Sequence, residues 1–271
     1  VLQDYYGAEY FLDERHRAEY VDEHGAPLRQ DVSEYFMRFK EVESFAPRRG
    51  KILDVGASQG GMLNLFRQYG WVVEGIDISA AAVQQAWALY QLRLQQGTLE
   101  QFRPSGKMEV ITMYQVLEHL PHPVQAVRQC FEMLQPGGIL VIEVPNLKSI
   151  ENRLSRHYRD LHYDLPRHLN HFTLPTLQRL LEEAGFGILS AETYASIYQV
   201  RFFGWLERLL GKTEKIVAHD AQFSLKSERP MEDIMAEHRK YQERKKHAVQ
   251  TRLANFFPGW RITLIGKKPM T

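Results

Sequence analysis

The stretch KILDVGASQGG, Lys51 to Gly61, constrains this chain more than any other. A short apolar run ends in an acid and then breaks into glycines, and helix-forming residues follow as NLFRQYG. That order predicts a strand, a tight loop and a helix, with Gly70 as the helix stop. Glycines in such a loop let backbone N–H groups approach a ligand closely, and the helix N-terminus adds positive potential. The next apolar run, WVVEGIDIS, ends in Asp77, 21 residues beyond Gly56. A carboxylate at that place can accept hydrogen bonds from both ribose hydroxyls, which points to an adenosine-type cofactor without saying which. A dinucleotide fingerprint would put glycine at position 58, where this chain has Ser58, so the nicotinamide reading is weakened. A plain glycine turn with no ligand stays open at this point.

The same letters also fit G-x-S-x-G, the elbow that presents a hydrolase serine. An α/β-hydrolase needs several strands before its nucleophile and a glycine-rich oxyanion loop upstream. Only about 50 residues precede Ser58, and they contain no such loop. Ser58 therefore reads as a loop residue whose N–H and hydroxyl can meet the polar end of a ligand.

Downstream the alternation continues. AAAVQQAWALYQL is rich in helix formers, MEVITMY is a strand, and PVQAVRQCFEMLQPGG reads as a helix stopped by Pro136-Gly137-Gly138. Its expected inner face is Val124, Val127, Phe131 and Leu134, with Gln125, Arg128, Gln129 and Glu132 opposite. ILVIEVPN is a continuous apolar run, as expected of a strand covered on both faces. FTLPTLQRLLEEAGF predicts a helix with Leu177, Leu180, Leu181 and Ala184 inside and Gly185 just past its end. GILSAETY and WRITLIGKK are the last two strand candidates. Strands and helices at this rhythm imply βαβ units and a parallel sheet. We divide the chain into a helical, aromatic N-terminal cap over 1–48, a core domain over 49–194 with 260–271, and a helical insertion over 195–259.

Composition excludes several classes. With 34 basic and 33 acidic residues the net charge is +1, so no basic field argues for nucleic acid. The single Cys130 precludes an internal disulfide framework and suits a reducing compartment, so we expect a cytoplasmic protein. No apolar run approaches the ~20 residues that span a bilayer, and the first twenty residues lack the apolar core of a signal peptide. The insertion carries an aromatic stripe, RFFGWLERLLG, that reads as core packing, as a lid or as a peripheral membrane contact. The oligomeric state is left open.

Taken together, ILDVGASQGGML, VEGIDIS, VITMYQVLEHLPHP and LQPGGILVIEVPN resemble the class I S-adenosylmethionine-dependent methyltransferases, in the small-molecule branch that includes quinone-biosynthesis and natural-product enzymes. DLPRHLNHFTLPTLQRLLEEAGF resembles the segment after the fifth strand of many of them. The resemblance covers about residues 50–194 and the final strand. The family loop is commonly acid-x-Gly-x-Gly-x-Gly, and Ser58 replaces its middle glycine. The resemblance implies an α/β, Rossmann-like sheet of seven strands, mostly parallel, with helices on both faces and the last strand inserted antiparallel. It implies S-adenosyl-L-methionine as cofactor and a small-molecule acceptor as partner. By the same resemblance Asp54, Gly56, Ala57, Ser58 and Gly60 line the methionine end of the cofactor. Asp77 takes the ribose, Ile78 packs on adenine, Thr98 and Leu99 border it, and Tyr114 and Gln115 approach the sulfonium.

A hydroxyl acceptor needs a base or must ionise, and histidine is the usual base near neutral pH. His119 in LEHL and His171 in RHLNH are the catalytic candidates, His119 with a loop-orienting role as its alternative and His171 with direct substrate contact or a structural role as its alternatives. His168 and Asn146 are the candidate substrate contacts, with a turn-stabilising role equally open for Asn146. The histidines of 157–171 lack metal-ligand spacing along the chain, so no metal is expected.

Overall fold

In the computed structural model, residues 29–46, 48–149, 152, 163, 166–194 and 261–270 are described. The elements run α1 (Arg29–Phe45), β1 (Lys51–Val55), α2 (Gly61–Gln68), β2 (Val72–Asp77), α3 (Ala80–Tyr90), β3 (Gln95–Gln96), β4 (Met108–Tyr114), α4 (Pro123–Met133), β5 (Leu134–Pro145), α5 (Leu174–Glu183), β6 (Gly187–Tyr194) and β7 (Arg261–Lys267). Single turns of 3-10 helix cover Leu99–Gln101 and Leu117–His119. Residues 1–28 and the 195–259 insertion lie outside the described residues.

The seven strands form one sheet in the order β3-β2-β1-β4-β5-β7-β6. β1 pairs in parallel with β2 and β4, and β5 extends the parallel part. β7 runs antiparallel to both β5 and β6, so it alone opposes the sheet direction. The expected topology is therefore observed.

Side chains alternate between the two faces of each strand, and each face has its own core. On one face Leu53, Val55, Ile111, Met113, Leu140 and Ile142 meet Ala126, Val127 and Cys130 of α4 and Leu177 and Leu181 of α5. On the other, Ile52, Val110, Ile139 and Val141 meet Phe36, Phe39 and Val42 of α1 and Met62, Leu63 and Phe66 of α2. This two-sided burial is why β4 and β5 are apolar at most positions on both faces.

Two expectations need correction. The buried face of α4 is Ala126, Val127, Cys130 and Met133, while Val124 is exposed and Phe131 only partly covered. The helix also stops earlier, at Met133, and β5 starts at Leu134 rather than after the glycines. Proline disfavours the helical region for the residue before it, here Gln135, and cannot itself continue a helix, so the helix ends just ahead of Pro136 with Leu134 as its cap. Leu134 adopts φ −71 and ψ 144, an extended conformation. The face shifts with it, because Leu134 belongs to the strand.

Candidate functional site

β2 and β4 lie on opposite sides of β1, so the winding of the chain reverses there. The crevice outside the carboxyl ends of strands at such a reversal is where open α/β sheets take ligands. The loop after β1 is pinned to the end of β2. Gly56 and Ala57 donate their N–H groups to the Ile76 carbonyl at 2.9 and 3.0 Å. Ser58 N–H donates to Asp77 Oδ2 and Ser79 N–H to Asp77 Oδ1, each at 2.8 Å. Gly56, Ser58 and Gly60 have φ of 75, 48 and 76°. Position 58 thus holds the left-handed conformation that glycine adopts most easily, which Ser58 takes at a modest cost. At Gly56 a Cβ would lie 2.4 Å from Val116 Cγ2, so this position is closed to side chains twice over.

Two carboxylates back this loop. Asp54 is buried near the end of β1 and accepts from Thr112 Oγ1 at 2.6 Å. Burial pushes its carboxyl up to about 7, against the Thr112 hydrogen bond and the Arg38 charge. Burial also raises Asp77, while the Ser79 and Ser58 N–H groups pull it down. For Asp54 the folded protein holds a proton that the unfolded chain has released, so its contribution to stability falls as pH rises from about 4 to about 7. Asp54→Asn cannot ionise and should escape this loss. Thermal melts from pH 5 to 8 should show the variant gaining on the parent as pH rises; a constant difference would mean Asp54 is not proton-linked.

At the end of β4, Tyr114 is buried and the Arg38 guanidinium lies 4.1 Å from its ring centroid. Gln115 follows with φ 57°, a left-handed conformation at a non-glycine residue. It is held by its N–H to the Glu143 carbonyl at 2.8 Å and by Nε2 to Glu143 Oε1 at 3.3 Å. Glu143 Oε1 also accepts from Arg38 Nη2 at 2.8 Å and Arg261 Nη1 at 3.2 Å. Glu34 closes the cluster through Arg38 at 3.0 Å and through Arg261. Burial opposes the Arg38 charge, but Glu143 and Glu34 more than compensate and its pKa is raised. This four-residue network joins α1, β5 and β7 beneath Gln115, and the sequence reading missed it. One signal was present: Glu143 interrupts an otherwise apolar strand, and a charge so placed needs a partner.

The other expected residues fall as follows. Thr98 caps the 3-10 turn, with its N–H donating to Gln101 Oε1 at 3.2 Å, while Leu99 is buried and its carbonyl accepts from Gln129 Nε2 at 2.6 Å. Gly97 N–H donates to the Asp77 carbonyl at 2.9 Å, which sets this turn beside the end of β2. Ile78 is half-buried just after Asp77. Asn146 is buried at the end of β5, and its Oδ1 accepts from Lys148 N–H at 3.1 Å, the turn-stabilising contact. His171 Nε2 meets the Tyr163 carbonyl at 3.3 Å, and the two rings pack 4.8 Å apart. His119 and His168 do come together, with ring centroids 4.8 Å apart. His119 Nδ1 bonds the Arg167 carbonyl at 3.0 Å, which ties the turn after β4 to the loop before α5. Beside them Glu118, unremarked in the sequence, is buried, and burial pushes its carboxyl up to about 8. Among the described residues no histidine hydrogen-bonds the Ser58 hydroxyl, as a hydrolase would require.

Comparison with known proteins agrees with this geometry. A family profile described as "Methyltransferase domain" matches residues 26–191. The chain is 30% identical over 139 residues to a "Probable S-adenosylmethionine-dependent methyltransferase" of Mycolicibacterium smegmatis, covering 51% of this chain and 52% of that protein. It is 32% identical over 119 residues to the ubiquinone biosynthesis O-methyltransferase of Pseudomonas paraeruginosa, covering 41% and 51%. The chain thus spans about half the length of the curated relatives it matches. In fold it is similar to a SAM-dependent methyltransferase from Archaeoglobus fulgidus, with a TM-score of 0.57 and 19% identity over 96% of this chain and 100% of that one. It is also similar to the magnesium protoporphyrin IX methyltransferase of Synechocystis PCC 6803, with a TM-score of 0.55 and 17% identity over 72% of this chain and 92% of that one. A profile match over more than half its length, on a sheet of this topology with the loop and acid in place, means that the chain belongs to the class I S-adenosylmethionine-dependent methyltransferase family.

Proposed function

We propose that the protein transfers the methyl group of S-adenosyl-L-methionine to a small-molecule acceptor. The observation that carries this reading is the Ser58 N–H to Asp77 contact, which closes a glycine loop over the end of β2 at the point where the sheet reverses. Ubiquinone biosynthesis O-methyltransferases are among the relatives, which supports a small acceptor over a macromolecule.

The cofactor supplies a sulfonium methyl that is already a strong electrophile. The protein's task is then to hold the acceptor in line and to exclude water. In this reading Asp77 has lone pairs left for the ribose hydroxyls after accepting from Ser58 and Ser79. Asp54, Gly56, Ala57, Ser58 and Gly60 frame the methionine end, where a carboxyl that ionises near neutrality suits an ammonium group. Ile78, Thr98 and Leu99 border the adenine, and Tyr114 and Gln115 face the sulfonium. The 168–171 loop walls the acceptor, with His171 as the candidate base and Asn146 holding the turn behind it. A cytoplasmic setting is proposed on the single cysteine, which is buried and free.

Calorimetry with S-adenosylmethionine and its demethylated product tests this reading directly. Binding of both is expected, and binding of neither by folded protein would overturn it. Ser58→Ala should keep most cofactor affinity and transfer, because the backbone N–H makes the contact to Asp77. The parent should resist fluorophosphonate labelling; stoichiometric labelling of Ser58 would restore the hydrolase reading.

A further inference from the structure

The buried end of the Leu117–His119 turn has chemistry that the cofactor site does not use. Glu118 is 1% exposed, and neither of its carboxylate oxygens has a hydrogen-bond partner among the described residues. A buried acid with both oxygens unsatisfied is costly and calls for a compensating group. What faces it is a pair of imidazoles. One ligand atom each from Glu118, His119 and His168 lies within 4.8 Å of the others, and His119 Nε2 is 4.0 Å from Glu118 Oε1.

The tautomer of His119 can be read from its partner. The Arg167 carbonyl only accepts, so Nδ1 carries the hydrogen of that 3.0 Å bond. In the neutral ring Nε2 is then an acceptor, on the side where Glu118 Oε1 lies 4.0 Å away. Histidines that bind metal are held in this way, with the far ring N–H donated to a backbone carbonyl. The backbone is clamped around the cluster as well. The Glu118 carbonyl accepts from Leu169 and Asn170 N–H, each at 2.9 Å, and Asn170 Nδ2 donates to the Leu120 carbonyl at 2.7 Å. Two segments about 50 residues apart in sequence are thereby fixed against each other with three donor atoms between them.

We propose that Glu118, His119 and His168 form a binding site for a divalent transition-metal ion. The donor set is two imidazole nitrogens and one carboxylate oxygen, which suits zinc, cobalt, iron or manganese better than the all-oxygen cations magnesium and calcium. Bonds of about 2.0–2.2 Å put neighbouring donors roughly 3 Å apart, so donors now up to 4.8 Å apart need to close by about 1–2 Å. Three protein ligands leave coordination positions open, as catalytic rather than purely structural sites do. The 168–171 loop is the proposed acceptor wall, so an acceptor hydroxyl could take an open position and lose its proton more readily there. The site itself does not depend on the methyl-transfer reading.

Cobalt(II) is the probe, because its visible absorption reports nitrogen and oxygen coordination. Metal-free full-length protein titrated with Co²⁺ should bind one equivalent with a visible band, and Zn²⁺ should displace it. Loss of an outer partner of a metal site costs about 10–100-fold in affinity, so Glu118→Gln and His168→Ala should each weaken Co²⁺ by at least about tenfold. Affinity for the demethylated cofactor is measured on the same samples and should persist in both variants. Absence of a band in the parent, or equal Co²⁺ binding by parent and both variants, would overturn the proposal. Metal binding without cofactor binding would instead defeat the methyl-transfer reading and leave this one standing.

Discussion

Asp77→Ala should weaken cofactor binding by about 10- to 100-fold, the loss expected when charge-assisted hydrogen bonds disappear. The structure sharpens this expectation, because Asp77 has two jobs. One is to receive the ribose hydroxyls in the proposed complex. The other is to hold the glycine loop, through Ser58 N–H on one oxygen and Ser79 N–H on the other. The alanine variant therefore also frees two backbone donors in a buried setting. The near-isosteric Asp77→Asn should do little better. Its amide nitrogen would face one of those two N–H groups, donor against donor, whichever way the side chain flips. Calorimetric titration of both folded variants with the demethylated cofactor checks this. Parent-like affinity in the alanine variant would remove Asp77 from the binding site, while full recovery in the asparagine variant alone would mean that only one oxygen matters.

Arg38→Met should be the most destabilising single change in the ion network. Removing one partner of a buried pair costs about 3–5 kcal/mol because a charge is left uncompensated. The low end applies, since Arg261 still reaches Glu143 at 3.2 Å. Part of the loss should return in Arg38→Met/Glu143→Gln, which removes the stranded charge, and urea melts of the two singles and the double give the coupling directly. A single-variant cost below about 1 kcal/mol would put this cluster in the class of exposed pairs. The change should also reach the site. Arg38 packs on the Tyr114 ring, and Glu143 holds Gln115 in its left-handed conformation, so cofactor affinity should fall with stability.

Much of the fold was legible because period and punctuation are local. β1 and its loop were readable from ILDVGASQGG, and α5 from the spacing of Leu177 and Leu181 with Gly185 at its end. The α4 face was misread for a local reason too. The helix ends before Leu134, close ahead of Pro136, and a helical wheel drawn through Leu134 rotates the apparent stripe toward Val124. Gly56, Ser58 and Gly60 lie together in the loop after β1, and their positive φ angles explain why glycines mark the motif. The histidines were harder. Spacing along 157–171 contained no metal pattern, yet one of its members, His168, lies against Glu118 and His119 from the turn after β4.

What the sequence determined by itself, then, was the order of strands and helices, the loop that breaks β1, and the acid that ends β2. These follow from apolar periodicity, glycine conformational freedom and the position of a charge at a strand end, each contained within a few residues. Tertiary structure alone decided which distant groups meet. Arg38, Glu143 and Arg261 come from three elements far apart in the chain and share one carboxylate oxygen, because β7 inserts antiparallel beside β5 with Glu143 opposite Thr263 and α1 lies over that face. Glu118 and His168 meet because the turn after β4 and the loop before α5 both emerge at the carboxyl edge of adjacent strands. Strand order and register set such pairings, and no local pattern in the sequence encodes them.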